Sequence, residues 1–599
     1  MSFPGLRSVT VFLAGLVLVA CSQEAPETVG SSSSEEAPQS VESSPAPSAS
    51  PAFERSSLYV PVRDGTRLAM NIYRPVAQGE VVTTPMPVIF FFTPYRSRFQ
   101  GEDGTITELA PAKSMGIMRM LDAGYTIAIA DVRGKGASFG ARRGFEDRTE
   151  AYDGYDLIQW LADQSWSNGV VGMAGCSYLG GSTVHVASTR PPALKAIFVG
   201  ATDLDKYDFV RRGGITAQFN TRPDEPLSDD LMSLPMDADT DGSLLREAVA
   251  QHADNTPMAP LWYGMPFRDS ISSLTGNAFW EEVGPYTYLE DLQDSGIPSY
   301  FWSNLKDEPT SQVILAAANL DSRLLVGPGS HCVPPPDYDL GGEIKRFFDF
   351  HLKNVDNGFD EDPRTTLWVE NAPEDEHWRV GDFLPGEESE TATWYLGSDN
   401  VMPEYAANNG SLGAVPGNTT QQQFTVSYDV GDGEYFAFWG EEQDENGLTY
   451  TSVPLAEDLH LEGYPITHLE LSVDRDDANI FVYLEEVAPG GEIEVLAMGR
   501  LAASYRGTAQ APYDTLGLPW HSGLQKDHQP LRPGQQVTMD IAMMPVSHIV
   551  PAGYRLRLNI AGADPRQRNL PDIQQDPPPE LTVYLGGETG SRLSLPILK

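Results

Sequence analysis

The sequence predicts an α/β domain with a helical insertion, followed by an all-β domain. Apolar runs typical of buried strands alternate with helical periodicity between residues 87 and 331, which is typical of a parallel sheet. A polar, partly helical stretch interrupts this alternation from Leu204 to about Leu292. After Phe359 the pattern changes to short alternating strands separated by Gly, Pro and Asp, which indicates a β-sandwich or jelly roll.

The first elements follow from local patterns. Residues 56–75 alternate apolar and polar side chains around Asp64-Gly65, which predicts a β-hairpin. Residues 155–163 have helical periodicity. Continuous apolar runs predict buried strands at 87–93, 125–130 and 195–200.

One segment combines a strand, a sharp turn and a helix around a serine. An apolar run leads into Gly175-Cys-Ser177-Tyr-Leu-Gly180, and small residues that suit a helix follow at 182–188. In such a turn the serine hydroxyl is held out from the sheet edge. The second glycine comes three residues after the serine, so the spacing is looser than Gly-x-Ser-x-Gly. With this strand and helix around it, Ser177 is predicted to be a nucleophile, and an ordinary turn is the alternative.

A nucleophilic serine needs a base, and the base needs a carboxylate that orients it. When the nucleophile lies on such a turn, both follow it in the chain. An apolar strand from Ile297 leads to Asp307, and a second one from Arg323 leads to His331. Because the carboxyl ends of parallel strands meet at one edge, these loops should meet there.

His331 is therefore predicted to be the base, with a hydrogen-bonded loop histidine as the alternative. Three carboxylates compete for the orienting role, namely Asp307, Glu308 and Asp321. Asp307 is favoured, since Asp321 precedes its strand and belongs at the opposite edge.

Length and charge restrict the class of protein. With 599 residues, the chain is too long for a single core, and two or three domains are expected. The net charge of −44 argues against binding to nucleic acid or anionic membranes, which need basic surfaces.

The N-terminus reads as a targeting segment. Arg7 precedes an apolar run at 9–20 that is too short to span a bilayer stably. The run ends in Leu18-Val-Ala-Cys21, which resembles the bacterial lipobox and implies cleavage before Cys21 and lipidation of its sulfur. An ordinary secretory signal is the alternative. The Ser- and Pro-rich stretch that follows cannot bury enough apolar surface to fold, so it predicts a tether. The chain is expected in the bacterial cell envelope, held at a membrane by its lipid alone.

Two cysteines flank the predicted nucleophile and base. Cys176 precedes Ser177 and Cys332 follows His331. An exported protein can form disulfides. However, adjacent side chains on a turn usually point apart, which favours two separate buried thiols and leaves pairing open.

A weak calcium motif lies in the helical insertion. Asp237, Asp239 and Asp241 alternate before a glycine, as in a calcium loop. An EF-hand loop would also need a carboxylate farther along the chain, and the position that requires it is one residue after Glu247. Acidic residues opening a helix at Ser243 are the favoured interpretation, and no cofactor is predicted.

These motifs together resemble the CocE/NonD family of serine hydrolases, which includes cocaine esterase, α-amino-acid ester hydrolases and X-prolyl dipeptidyl peptidases. The resemblance spans about residues 55–599. The matching segments are Pro94-Tyr95, Asp131-x-Arg-Gly-x-Gly-x-Ser138, 166–180, Gly327-Pro-x-Ser-His331, 347–358 and 454–458.

The resemblance implies an α/β-hydrolase domain, a helical cap and a C-terminal jelly roll. The predicted parts are a signal peptide at 1–20, a disordered tether at 21–54, the α/β-hydrolase domain at 55–203 and 293–365, the cap at 204–292 and the jelly roll at 366–599.

The resemblance also implies roles for single residues. Ser177, Asp307 and His331 match the nucleophile, acid and base. The Tyr95 hydroxyl and the Tyr178 backbone N–H match the two donors of an oxyanion hole; a core tyrosine is the alternative for Tyr95.

The sequence departs from the family at the substrate end of the site. Where amino-acid ester hydrolases carry carboxylates that help to bind an ammonium group, this chain has Pro309 and Thr310. Glu308 or aspartates of the cap could substitute, so specificity for α-amino substrates does not carry over.

These patterns predict a serine hydrolase that cleaves a small ester or amide, with an acyl or aminoacyl group, through a Ser-Asp-His triad and an acyl-enzyme. X-prolyl dipeptidyl aminopeptidase activity is one alternative. A catalytically silent, lipid-anchored protein that binds through its jelly roll is another. A metal enzyme is disfavoured because no pair of histidines has ligand spacing, and the sequence leaves the oligomeric state open.

Overall fold

The computed structural model describes residues 53–108, 115–216, 224–405, 407–431, 437–567 and 573–599. The chain divides into two units, Met1–Ser50 and Pro51–Lys599. The first unit lies outside the described residues, and with it the predicted signal peptide, Cys21 and most of the predicted tether.

The described part of the second unit begins with strands and helices in alternation. Its strands up to residue 381 are β1 (Phe53–Pro61), β2 (Arg67–Ala77), β3 (Glu80–Val81), β4 (Met86–Thr93), β5 (Arg98–Gln100), β6 (Ile106–Glu108), β7 (Thr126–Asp131), β8 (Ser167–Cys176), β9 (Leu194–Gly200), β10 (Ser299–Asn304), β11 (Arg323–Gly327), β12 (Thr365–Trp368) and β13 (Trp378–Gly381). The α-helices are α1 (Met118–Asp122), α2 (Arg148–Ala162), α3 (Tyr178–Ala187), α4 (Lys206–Arg211), α5 (Leu227–Asp230), α6 (Ser243–Gln251), α7 (Met258–Tyr263), α8 (Phe279–Val283), α9 (Leu289–Ser295), α10 (Thr310–Asn319) and α11 (Leu340–Lys353).

Most of these strands form one twisted sheet. Its order is β1-β2-β7-β4-β8-β9-β10-β11-β12-β13, with β3 on β2, whereas β5 and β6 pair separately. The strands from β7 to β12 in this order run parallel, and β1, β2 and β13 are antiparallel additions at the two ends. Apolar side chains are buried on both faces of the sheet, as continuous apolar strands require. This confirms the predicted α/β class.

The edges of this domain differ from the prediction. The first strand begins at Phe53, so the last two residues assigned to the tether belong to β1. The boundary predicted between 365 and 366 falls inside β12, and β13 extends the sheet to Gly381. These two strands have four residues each, which is too short to show a clear period.

The helix predicted at 155–163 begins earlier in the structure. Asp147 accepts from the backbone N–H groups of Thr149 and Glu150 and so starts α2 at Arg148.

The insertion between β9 and β10 is helical and carries α4 to α9. It has its own aromatic core around Trp262, Phe279 and Trp280, whose side chains are fully buried. This insertion lies after the carboxyl end of β9, so it covers the edge of the sheet that carries Ser177.

The remainder is all β, as predicted. Its strands are β14 (Glu390–Gly397), β15 (Gly410–Gly413), β16 (Thr420–Thr425), β17 (Gly447–Thr451), β18 (Leu459–Gly463), β19 (Ile466–Val473), β20 (Asn479–Val487), β21 (Ile493–Ala502), β22 (Val537–Ala542), β23 (Val546–Val550), β24 (Arg555–Ala561), β25 (Glu580–Leu585) and β26 (Arg592–Ile597). They pair almost wholly antiparallel around a separate apolar core.

The cap and the β domain pack on each other. Arg268 of the cap is buried. Its guanidinium lies 2.6 Å from the carboxylate of Asp205 and also donates to the carbonyl of Ser522. Tyr513 of the β domain donates to the same Asp205. Ile215, at the base of the cap, joins a cluster of buried β-domain residues. The β domain therefore helps to hold the elements above the sheet edge. No helix within the described ranges is long and apolar enough to cross a bilayer.

Candidate active site

Ser177 lies at the sharp turn between β8 and α3. Its backbone has φ 63° and ψ −132°, a conformation that non-glycine residues rarely adopt. The turn is held because the Ser177 N–H donates to the Gly200 carbonyl at 3.0 Å. A Cβ at Gly180 would lie 2.4 Å from that same carbonyl oxygen. The first turn of α3 thus packs closely against β9 at Gly180. This close packing explains why the second glycine of the motif comes three residues after the serine.

The predicted base and acid are in contact. Nδ1 of His331 lies 3.0 Å from each carboxylate oxygen of Asp307. Asp307 is fully buried, whereas the His331 side chain is 14% exposed. Asp321 lies at the opposite edge, with its side chain 94% exposed and 3.5 Å from Arg364. Of the candidate carboxylates, Asp307 is the one that the fold brings to His331.

The third candidate, Glu308, points elsewhere. Its carboxylate accepts from the guanidinium of Arg500 at 2.6 Å, and both side chains are buried. Arg500 belongs to β21 of the β domain. Glu308, which could have replaced the missing substrate-binding carboxylates, thus already has a cationic partner.

Asn304 fixes the loop that carries His331. The residue is fully buried at the end of β10. Its Nδ2 donates to the carbonyls of Ser330 and Val333, at 2.6 and 2.8 Å. Asp307 and the His331 loop are therefore both held to the end of β10.

Cys176 and Cys332 form a disulfide, with their Cα atoms 6.0 Å apart. The expectation of two separate thiols was wrong. It assumed ordinary turns, but φ is positive at Ser177, which follows Cys176, and at Cys332 itself, 63° and 55°, and these unusual backbone conformations accompany the convergence of the two cysteine side chains. The bond joins the Ser177 strand directly to the His331 loop.

Tyr95 approaches Ser177 from the loop after β4. Its hydroxyl lies 3.5 Å from Oγ of Ser177. The side chain is 40% exposed, so the alternative of a core tyrosine is wrong. The loop is braced by Asp131, whose carboxylate accepts from the backbone N–H groups of Ser97 and Ala137 at 2.6 and 2.9 Å. Burial raises the pKa of Asp131 to about 6.

Tyr178 directly follows Ser177, and its side chain is buried. As the first residue of α3, it has a backbone N–H without a carbonyl partner inside the helix. Its phenol donates to Glu150 at 2.5 Å and accepts from the backbone N–H of Glu146. These bonds anchor the first turn of α3.

Buried charges lie behind this turn. Nζ of Lys206 is 2.6 Å from Glu146 and 2.5 Å from Asp203. Burial raises the pKa of Glu146 to about 7. Burial alone would lower the pKa of Lys206, but the charges of Asp203 and Glu146 outweigh it, so the pKa is raised. These carboxylates have an internal ammonium as their partner.

Burial also makes Glu150 sensitive to pH. Desolvation raises its pKa to about 8, and the nearby charges of Asp147 and Glu146 also raise it. The hydrogen bond from Tyr178 and the charge of Arg142 lower the pKa but do not offset this rise. Between pH 4.5 and 8 the native side chain keeps a proton that the unfolded chain has lost, so the native state binds more protons. This group therefore lowers stability as pH rises, by up to about 1.4 kcal/mol per pH unit.

Glu150→Gln should remove this loss, because a neutral amide can still accept from Tyr178. We expect the difference in Tm between variant and wild type to be small near pH 5, to grow in favour of the variant up to about pH 8 and to stay constant above it. Thermal scans at a fixed rate across this range test the prediction. A difference that does not change with pH would contradict it.

The β domain and the cap add aromatic rings beside the site. Phe438 stacks on the imidazole of His331, with ring centroids 4.1 Å apart. Phe145 contacts Tyr178 at 4.5 Å and Trp262 of the cap at 6.0 Å. Sequence reasoning missed Phe438, which lies more than 100 residues after His331 and has no local signal. Asn304 could have been found, since this polar residue ends an apolar strand, and Asp131 was noted only as part of a family motif.

The calcium candidates make other contacts. Asp239 accepts from the backbone N–H groups of Leu244 and Leu245 and so caps α6. Asp237 pairs with Arg55, and Asp241 accepts from the N–H of Ser243. These contacts match the favoured interpretation, acidic residues that open a helix. Within the described ranges, no group of three or more His, Cys, Asp or Glu side chains is placed to hold a metal ion.

Comparison with known proteins gives matches along most of the chain. The model of X-Pro dipeptidyl-peptidases of the S15 family matches residues 64–333, and that of their C-terminal non-catalytic domain matches 357–593. A Mycobacterium bovis protein provisionally described as a serine esterase is 29% identical, over 91% of this chain and 95% of its own. Cocaine esterase of a Rhodococcus strain is 24% identical, over 91% of this chain and 98% of its own. The crystal structure of a Staphylococcus aureus CocE/NonD hydrolase superposes with a TM-score of 0.68 at 19% identity, over 91% and 94% of the two chains.

The fold and these matches define the class of the protein, which is a serine hydrolase with an α/β-hydrolase domain and a C-terminal β domain. The predicted resemblance is confirmed. Within that class, residues 64–333 and 357–593 match the two domains of the S15 family of X-Pro dipeptidyl-peptidases, and cocaine esterase and a CocE/NonD hydrolase are among the proteins that the chain is similar to.

Proposed function

We propose that this serine hydrolase cleaves a small ester by acyl transfer to Ser177. The observation that carries the proposal is the meeting of four connections at one sheet edge, those that follow β4, β8, β10 and β11. His331 lies 3.0 Å from Asp307, and the Tyr95 hydroxyl lies 3.5 Å from Ser177 Oγ. This is the set of groups that acyl transfer needs, namely a nucleophile, an oriented base and a donor for the oxyanion.

The reaction would proceed in two halves. His331 takes the Ser177 proton as Oγ attacks the carbonyl carbon, and Asp307 holds the imidazole and stabilises its positive charge. The Tyr95 hydroxyl and the Tyr178 N–H receive the oxyanion. His331 then gives its proton to the leaving oxygen, which departs and leaves Ser177 acylated. Water, activated by His331, attacks the acyl-enzyme and releases the acid.

We propose an uncharged acyl group as the preferred substrate. Three carboxylates of this region already have cationic partners, since Glu308 pairs with Arg500, and Glu146 and Asp203 pair with Lys206. An ammonium group brought to any of these three would have to compete with a cation that is already in place.

The second candidate is X-Pro dipeptidyl-peptidase activity, which the description of the matching family favours. A substrate panel separates the two. Purified full-length protein is assayed with simple acyl esters, aminoacyl esters and X-Pro amides, and kcat/KM is compared. We expect simple esters to lead. Faster turnover of X-Pro amides would support the peptidase instead.

Tyr95→Phe should lower kcat much more than it raises KM, because the hydroxyl donates most strongly to the tetrahedral oxyanion. Loss of one such donor costs about 10²–10³ in kcat. Steady-state kinetics on the best ester of the panel tests this. An unchanged kcat with a raised KM would make Tyr95 a residue that positions the substrate.

We also propose that the chain is a lipoprotein of the bacterial cell envelope, anchored through Cys21. The disulfide supports export, because such bonds persist in oxidising compartments. The net charge of −44 disfavours attraction to anionic headgroups, so acyl chains are the attractive contribution.

Cys21→Ala should therefore move the protein out of the membrane fraction or leave an uncleaved precursor, while the wild type stays with the membrane. Fractionation with mass analysis of the N-terminus tests this. A fully soluble wild type with an unmodified N-terminus at another residue would contradict the proposal.

A further inference from the structure

The disulfide connects the two residues that flank the proposed nucleophile and base. Cys176 directly precedes Ser177, Cys332 directly follows His331, and 156 positions of sequence separate the two cysteines. The bond therefore directly constrains the distance between the Ser177 turn and the His331 loop.

The nucleophile side of this bond is rigid. Cys176 is the last residue of β8 and lies opposite Gly200 of β9. A Cβ at Gly200 would lie 2.9 Å from Sγ of Cys176 and 2.3 Å from Nε1 of the buried Trp302. Only glycine leaves room there, so Cys176 sits in a closely packed place and gives the bond a fixed anchor.

The base side has a second and different anchor. The Asn304 amide holds the carbonyls on both sides of His331–Cys332, those of Ser330 and Val333. Asn304 ends β10, just before Asp307. Hydrogen bonds thus fix the His331 loop on the Asp307 side, and the disulfide fixes it on the Ser177 side.

We infer that the Cys176–Cys332 disulfide is a positioning element of the active site, which holds His331 at Ser177, and that turnover depends on its oxidised form. The inference rests on the proposed function of Ser177 and His331. It adds a dependence of turnover on redox state, while the apolar clusters on the two faces of the sheet lie outside the disulfide itself.

Reduction separates the two anchors. A dithiol such as dithiothreitol gives two electrons and two protons to the sulfurs, which become two thiols while the reagent closes to its own cyclic disulfide. The loop then keeps its contacts with Asn304 and Asp307 but is released from Cys176. A displacement of about 1 Å between reacting groups can lower the rate about 10²-fold. Substrate binding, which involves other surfaces, should change little.

The test compares the full-length protein in detergent before and after reduction by dithiothreitol, with the appearance of two thiols verified by titration. We expect kcat on the best ester to fall about 10- to 100-fold with KM within about twofold. Removal of the reductant and reoxidation should restore kcat.

A fluorophosphonate probe distinguishes positioning from unfolding. All molecules of the reduced protein should still become labelled at Ser177, but more slowly, by the factor lost in kcat. Full activity after verified reduction would overturn the inference. So would a loss of activity matched by an equal loss of labelled sites, because that result means unfolding.

The double variant Cys176→Ala/Cys332→Ala provides the matched control. It should resemble the reduced wild type and should not respond to dithiothreitol; a response would show that the reagent acts elsewhere and would overturn the inference. If the variant does not fold, the reversible reduction of the wild type still decides. If instead the proposed function of Ser177 is wrong, the Ser177→Ala variant with its disulfide intact will still turn over the ester.

Discussion

Replacing Ser177 by alanine is expected to lower ester turnover by about 10⁶-fold, the size of effect that loss of a serine nucleophile has in other hydrolases. The substitution removes one oxygen at the turn between β8 and α3. The turn itself is held by the backbone bond from Ser177 N–H to Gly200 and by the close packing of Gly180. Folding should therefore survive, with Tm within a few degrees of the wild type.

Labelling gives an independent readout of the same change. A fluorophosphonate probe should modify the wild type at Ser177 and leave the alanine variant unmodified. Ser398→Ala is a suitable control, because Ser398 is exposed just after β14 of the β domain, and it should retain full turnover and labelling. Labelling that persists in the Ser177 variant would refute the assignment of the nucleophile.

Local sequence patterns predicted where the candidate site residues lie in the fold. Ser177 follows an apolar strand and precedes a helix, and Asp307 and His331 each follow a strand of the same sheet. Parallel strands bring their carboxyl ends to one edge, so residues far apart in the chain could be placed together without knowledge of the packing. The same reasoning placed Asp321 at the opposite edge, where the structure has it.

The parts that depend on side-chain direction or on distant packing were not predicted. The disulfide accompanies positive φ at Ser177 and Cys332, and no residue pattern gives that angle for a serine or a cysteine. Phe438 reaches His331, and Arg500 reaches Glu308, only because the β domain packs against the catalytic domain. Such contacts depend on tertiary packing and have no sequence period.

The limits of the sheet were missed for a related reason. β12 and β13 are short, and β13 is exposed in part. Short strands of this kind are recognised by the strand they pair with and not by their own residue pattern. The sequence of β12 alone does not indicate that it pairs in parallel with β11.

Replacing Asp307 by asparagine should lower kcat by about 10⁴-fold and leave the fold intact. The carboxylate accepts from Nδ1 of His331 at 3.0 Å and is fully buried, so it fixes the tautomer in which Nε2 can take a proton. An amide of the same shape can present its NH₂ group to Nδ1, which then becomes an acceptor and places the proton on Nε2. The imidazole would also lose the negative charge that stabilises its protonated form.

Asp321→Asn is the matched control, since it makes the same chemical change on the same domain, 14 residues away in sequence, at a side chain that is 94% exposed. Its kcat should stay within about twofold of the wild type, because an exposed ion pair such as that with Arg364 contributes little. The measurements are kcat, KM and the rate of fluorophosphonate labelling for both variants, with Tm to verify folding. If Asp307→Asn kept a near-normal rate, or if both variants lost activity equally, His331 would not be oriented by Asp307. The large, selective loss is expected because a buried carboxylate bound to an imidazole acts on every proton transfer of the reaction, in acylation and again in deacylation.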